Sequence, residues 1–218
     1  MPNWCLTNIH ISGKKSDIQT LYKRFSDAIE RDDGGQEPGY YTAGLTHYGK
    51  RWLGNLLLYI GEEIKENGGP RCRGTVSYYD LCDDGEGITI QTDTAWVPML
   101  QVFVKFKNKY APNAEITYCA EEPGCELFWK NDDSWEDYYV EFFSEETDEK
   151  TADKIKEAFG LDGTSTYMYR NEMKESLKHL LNHDGELDEL VKEALDKYDE
   201  EHGLRIFKFE NIDLCEVD

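Results

Sequence analysis

The chain has 218 residues, of which 39% are hydrophobic and 13% aromatic, enough apolar material for a core and too much for global disorder. Its formal net charge of −21 disfavours direct binding to DNA or RNA, which needs clustered Lys and Arg. The longest apolar run, Leu56-Leu57-Leu58-Tyr59-Ile60, falls far short of the ~20 residues that cross a bilayer, and Met1-Pro2-Asn3-Trp4-Cys5 lacks the regions of a signal peptide, so the expected location is the cytoplasm, away from membranes.

Residues 5–12 alternate and carry β-branched side chains, which predicts an opening strand ended by Gly13. Ser16 is placed to cap a helix running to about Asp32, with Ile18, Leu21, Tyr22, Phe25, Ala28 and Ile29 on one face and Gly34-Gly35 as its stop. Residues 36–49 have no periodicity and read as loop. Lys50–Glu66 predicts a second helix, weakened by Gly54 and Gly61, before the break at Asn67-Gly68-Gly69-Pro70. A short strand is expected at 75–79, a turn at Asp83-Asp84-Gly85-Glu86-Gly87, and a half-buried strand from Ile88. Pro98 marks the first turn of a helix to Tyr110, and Ile116, Tyr118 and Ala120 begin another strand. Strands at Cys125–Trp129 and Tyr138–Phe143 are expected to form a hairpin across the polar loop Asn131–Asp137.

Charge is unevenly spread. Residues 1–72 hold nine bases and nine acids, whereas 73–218 hold 15 bases and 36 acids. Beyond Ser144 the composition turns to Glu, Lys, Leu and Ala, predicting helices near 147–159, 171–182 and 186–202, and Leu204–Phe209 as a returning strand. The expected organisation is an α+β core over 1–144 and an acidic helical region over 145–218. The six cysteines form no C-x-x-C, and a chain with a core of this size is expected to hold them as free, mostly buried thiols.

Two stretches resemble the YubB ferredoxin-like family of plasmid- and bacteriophage-encoded proteins. One is Met1-Pro2-Asn3-Trp4-Cys5 with Asn8 and Ser12-Gly13; the other is Ile90-Gln91-Thr92-Asp93-Thr94-Ala95-Trp96 with Pro98, followed by Tyr110-Ala111-Pro112 and Tyr118 through Glu122. The resemblance implies a ferredoxin-like α+β sheet and an origin in a mobile element. It implies no catalytic residues. The acidic region after 144 lies outside it. Independently, the strand–helix units at 5–32 and 88–110 suit a split βαβ sheet with helices on one face.

Residues that could carry chemistry are few. The histidines His10, His47, His179, His183 and His202 lie in no nucleophile motif, and no phosphate-cradling glycine loop is present. Asp132, Asp133, Glu136 and Asp137 surround Trp135 without the spacing of a calcium loop, which predicts a solvated turn. Asp83-Asp84-Gly85-Glu86 reads the same way, and His183-Asp184-Gly185 reads as a helix cap and stop. No catalytic residue, cofactor or metal is therefore expected. Trp4, Trp52 and Trp96 read as packing residues, with Trp96 buried as the continuation of the Ile88, Ile90, Thr92, Thr94 face.

The remaining functional signal is the acidic surface. Carboxylates along a helix can occupy sites that normally hold phosphates, so the expected partner is a basic, nucleic-acid-handling host protein. The candidate partner-binding residues are Glu189, Glu193, Asp196 and Glu200 on the last helix, with Asp132, Asp133, Trp135 and Glu136 in the loop. Joined to the family resemblance, this predicts a non-catalytic counter-defence protein, for example one that blocks a nuclease or a CRISPR effector. The alternatives are a small-ligand binder or enzyme using the open face of the sheet, and a housekeeping protein acidic only for solubility.

Overall fold

The computed structural model describes residues 3–31, 49–62, 72–143, 147–198 and 203–215. The stop at Gly34-Gly35, the loop 36–48, the end of the second predicted helix, the break at 67–70 and the end of the helix predicted to 202 lie outside these residues. The protein is α+β, and the chain forms two compact units: Met1–Asp132 with Asn211–Asp218, and Asp133–Glu210. The second unit thus begins ahead of the composition change near 144.

The larger sheet has the order β2-β3-β1-β4-β5-β9, formed in the first unit by β1 (Trp4–Ser12), β2 (Gly74–Leu81), β3 (Gly87–Ala95), β4 (Glu115–Glu122) and β5 (Leu127–Lys130), with β9 (Glu210–Asn211) at the unit boundary. β1 pairs antiparallel with both β3 and β4, so Ile9 faces Ile90 on one side and Tyr118 on the other. The predicted strands at 5–12, 88–96 and 115–120 therefore share one sheet. Its inward face meets α1 (Lys15–Ile29), α2 (Gly54–Ile60) and α3 (Leu100–Tyr110), with Ile9, Ile88, Ile90, Phe25, Phe103 and Phe106 in one core. Phe25 is the hinge of that packing, its ring 6.3 Å from Phe103 and 6.1 Å from Phe106.

Several local expectations are corrected. α1 begins at Lys15 with Lys14 at its N-cap, so Ser16 lies inside the first turn and bonds Asp17 instead of capping. α2 is short because Gly61 turns left-handed (φ 83) and closes it. Cys125 belongs to a 3-10 turn, Pro123–Cys125, whose following residue Glu126 is left-handed, so the strand starts only at Leu127. Trp96 is not buried but 45% exposed. Its alternation argument fails because β3 ends at Ala95 and Trp96 takes φ 75, which rotates its side chain off the strand face. Thr94 holds the last inward position, its hydroxyl donating to Val97 O at 2.8 Å across the bend.

The second unit has its own sheet and core. β6 (Tyr138–Phe142) lies between β7 (Ser165–Met168) and β8 (Leu204–Lys208), antiparallel to both. β5 and β6 thus belong to different sheets, and the predicted hairpin across 131–137 does not form. α4 (Glu149–Phe159), α5 (Arg170–Leu181) and α6 (Leu187–Tyr198) bury Ile155, Met173, Leu177, Leu180 and Leu190 with Val140 and Phe142 of the sheet. The region predicted as helical is itself α+β. No helix among the described residues is long and apolar enough to cross a membrane.

Candidate binding surfaces

α6 is amphipathic by charge. Leu187, Leu190, Ala194 and Tyr198 are buried, while Asp188, Glu189, Glu193 and Asp196 are exposed. At 100° per residue, Glu189, Glu193 and Asp196 fall within one narrow stripe opposite the buried side, with about 6 Å of rise between the first two. Three of the four carboxylates predicted on this helix are thus brought together, and Glu200 lies outside the described residues. Glu193 is not a bare charge, because its carboxylate meets His183 Nε2 at 2.8 Å.

The aspartate loop is divided between the units: Asp132 ends the first and Asp133 opens the second. Asp133 is exposed, whereas Asp132, Trp135 and Glu136 are half-buried. Asp137 works structurally. Its Oδ2 accepts from the Arg170 amide at 2.8 Å, at the start of α5, and its carbonyl accepts from Phe209. The Tyr169 hydroxyl donates to Ser134 O at 2.9 Å, so this loop is tied to the β7–α5 junction. His183-Asp184-Gly185 forms the α5–α6 connection, following the left-handed cap at Asn182.

On the first sheet, the face away from the helices carries Leu6, Asn8 and His10 of β1. Their register partners are Asp93, Gln91 and Thr89 on β3 and Glu121, Cys119 and Thr117 on β4. The face is polar and acidic, which suits hydrogen bonding to neutral or cationic groups and opposes phosphates. Sequence reading missed one juxtaposition on it. A Cβ at Gly87 would stand 2.5 Å from His10 Cε1 and 3.0 Å from Cys82 Sγ, so the imidazole and the thiol share the notch that glycine leaves. The signal in the sequence was Gly87, the last residue of the turn predicted at 83–87, where β3 begins.

The cysteines are free and divide evenly: Cys5 and Cys119 buried, Cys72 and Cys82 half-buried, Cys125 and Cys215 exposed. The expectation of mostly buried thiols is corrected to that extent. Burial pushes Cys5 up to about 11 and Cys72 up to about 12. Cys125, though exposed, is also raised, first by its hydrogen bond to Glu122, so the turn does not activate it as a nucleophile. Beside α3 an open depression of about 540 Å³ is lined in part by Val104, Ile116 and Leu214. Lys107 and Asn131, which also line it, donate to backbone carbonyls of Ala114 and Ile116. Among the described residues no three His, Cys, Asp or Glu side chains are grouped to hold a metal.

No family model, no curated protein and no solved structure matches the chain.

Proposed function

We propose that this chain is a non-catalytic binding protein that engages a basic partner through the acidic face of α6. The observation that carries the reading is the stripe of exposed Glu189, Glu193 and Asp196 set opposite the buried Leu187, Leu190, Ala194 and Tyr198. A rigid helix presents its carboxylates in fixed spacing, so a basic groove meets preorganised charge and association is electrostatically steered. The connectivity β1-α1-α2-β2-β3-α3-β4 with order β2-β3-β1-β4 supports reading the first sheet as ferredoxin-like, a split βαβ arrangement with α2 inserted before β2 and with β5 and β9 added at its edge. The narrower reading, a counter-defence protein of a bacteriophage or plasmid that occupies a host nucleic-acid-handling protein, draws on the family resemblance alone.

The test is capture from bacterial lysate by wild type and by the variant Glu189→Lys, Glu193→Lys, Asp196→Lys. A basic protein retained at low salt, released by raised salt and by added duplex DNA, and lost with the variant supports the reading. Equal retention by the variant, with its fold intact by circular dichroism, overturns it. The open depression beside α3 favours a second reading, a small-ligand binder, since its volume of about 540 Å³ could admit a small molecule. A thermal-shift screen that raises stability through Val104-dependent binding decides for it.

A further inference from the structure

His183 sits at the α5–α6 connection with both ring nitrogens engaged. Nε2 meets Glu193 Oε2 of α6 at 2.8 Å, and Nδ1 meets the backbone carbonyl of Asp184 at 3.2 Å. Both partners are acceptors. A neutral imidazole has one N–H and one lone pair, so it satisfies one of them and turns a lone pair on the other. Only the imidazolium donates to both. Behind it, Lys178 of α5 bridges Glu175 at 2.9 Å and Asp184 at 3.3 Å, and Asp184 accepts from the Gly185 amide at 2.8 Å, which holds the carbonyl in place.

We propose that His183 is a proton-dependent clamp: as imidazolium it fastens Glu193 of α6 to the α5–α6 connection by an ion pair, and as neutral imidazole it keeps at most one uncharged hydrogen bond to Glu193, which then yields to an incoming basic group. The clamp stands on this geometry alone. Release to a partner rests on the reading of the α6 face given above.

The groups facing the ring come from each element around it. Glu193 and Lys197 approach from α6, Asp184 from the connection, and Lys178 and Lys174 of α5 act on Asp184. The hydrogen bond to Glu193 raises His183 above its ordinary 6.5 and the Asp184 carbonyl adds to it, while solvent loss and Lys197 oppose. The imidazolium therefore persists to higher pH than in an isolated histidine, and the clamp loosens as pH rises through the raised value. The ring and Glu193 side chains are 45% and 48% exposed, so salt weakens the pair.

Nitrogen-resolved NMR of the histidine rings across pH tests the clamp on the full chain. Expected is protonation at both His183 nitrogens below a midpoint that lies above 6.5 and falls in Glu193→Gln. A midpoint at or below 6.5, or one unchanged in the variant, overturns it. Release is tested with an oligolysine peptide at low salt. Wild type should bind on the order of two- to fivefold more tightly above the His183 midpoint than below it, and His183→Gln should show no such step. Identical pH responses of the two proteins overturn release. Absence of binding by both overturns the docking reading and release together, while the ring titration still decides the clamp.

Discussion

In the first unit none of α1, α2 and α3 has a side chain bonded at its N-cap; Lys14, Leu53 and Met99 hold those positions. In the second, α4 opens on Asp148, whose carboxylate accepts from the Thr151 amide at 3.1 Å. α5 opens with Asp137 accepting from Arg170 and Glu172 accepting from the Tyr169 amide at 2.9 Å. The difference follows what each unit has available. Helices laid on a broad sheet draw their stability from a buried face, so the caps can be spared. The second unit has ten basic and 23 acidic residues, net −13, on a three-stranded sheet, and its acids sit where they help most. Glu149, Glu172, Asp188 and Glu189 occupy first turns, with Lys156, Lys178 and Lys197 in last turns, so the helix dipoles offset part of the repulsion.

The largest effect expected from this division is on the cores. Leu177 is fully buried among Ile155, Met173 and Leu180, and Leu177→Ala should cost the second unit about 2–5 kcal/mol in urea denaturation. All six cysteines lie in the first unit, which makes thiol labelling its private reporter. In Leu177→Ala, Cys5 and Cys119 should stay protected at urea concentrations that already unfold the second unit. Labelling that tracks the loss of the second unit would show a single cooperative fold.

Next comes a perturbation confined to the first unit. A Cβ at Gly54 would stand 2.1 Å from Trp52 Cη2, and the Trp52 indole is buried and donates to Cys72 O at 2.8 Å. Gly54→Ala should destabilise the first unit by about 1–3 kcal/mol, because the ring must move or its hydrogen bond must stretch. Labelling of Cys5 at lower urea would register it. The contrast in capping gives a smaller pair of effects. Asp148→Ala should cost about 1 kcal/mol, while Lys14→Ala should stay within about 0.5 kcal/mol. Equal costs at the two positions would break the comparison.

Period-2 and period-3.6 patterning made β1, β3, α1, α3 and α6 legible, since each buries one face against a core. β7 went unseen because Ser165–Met168 is four residues long with one buried side chain, too short for alternation to register. The hairpin predicted across 131–137 failed for a different reason. Two neighbouring strands imply pairing only when both bury their faces on one core, and Leu127 and Tyr138 belong to different ones. On the acidic face, the spacing of Glu189, Glu193 and Asp196 was readable from helical period alone. The engagement of Glu193 by His183 was not, because it depends on the left-handed cap at Asn182 turning the chain back toward α6.

The smallest effect expected concerns backbone positions with φ > 0, where the units again differ. Among the described residues the second unit places Gly160, Asn182 and Gly203 there, residue types that tolerate it, whereas the first unit uses Arg51, Trp96 and Glu126 as well as glycines. At Trp96 the strain is set by the chain and not by the side chain: its amide donates to Asn3 O at 3.0 Å, and Ala95 before it is paired to Arg73 O at 2.8 Å. Any residue keeps those bonds. Since the indole is 45% exposed, Trp96→Ala should change stability by less than about 1 kcal/mol. Trp96→Gly should then be the more stable of the two variants by on the order of 1 kcal/mol, because glycine relieves the left-handed conformation, less what its freer unfolded chain takes back. Chemical denaturation of both, followed at Cys5, measures the difference. A cost of several kcal/mol for Trp96→Ala would mean that the indole is packed after all, and that the turn after β3 is held by its side chain.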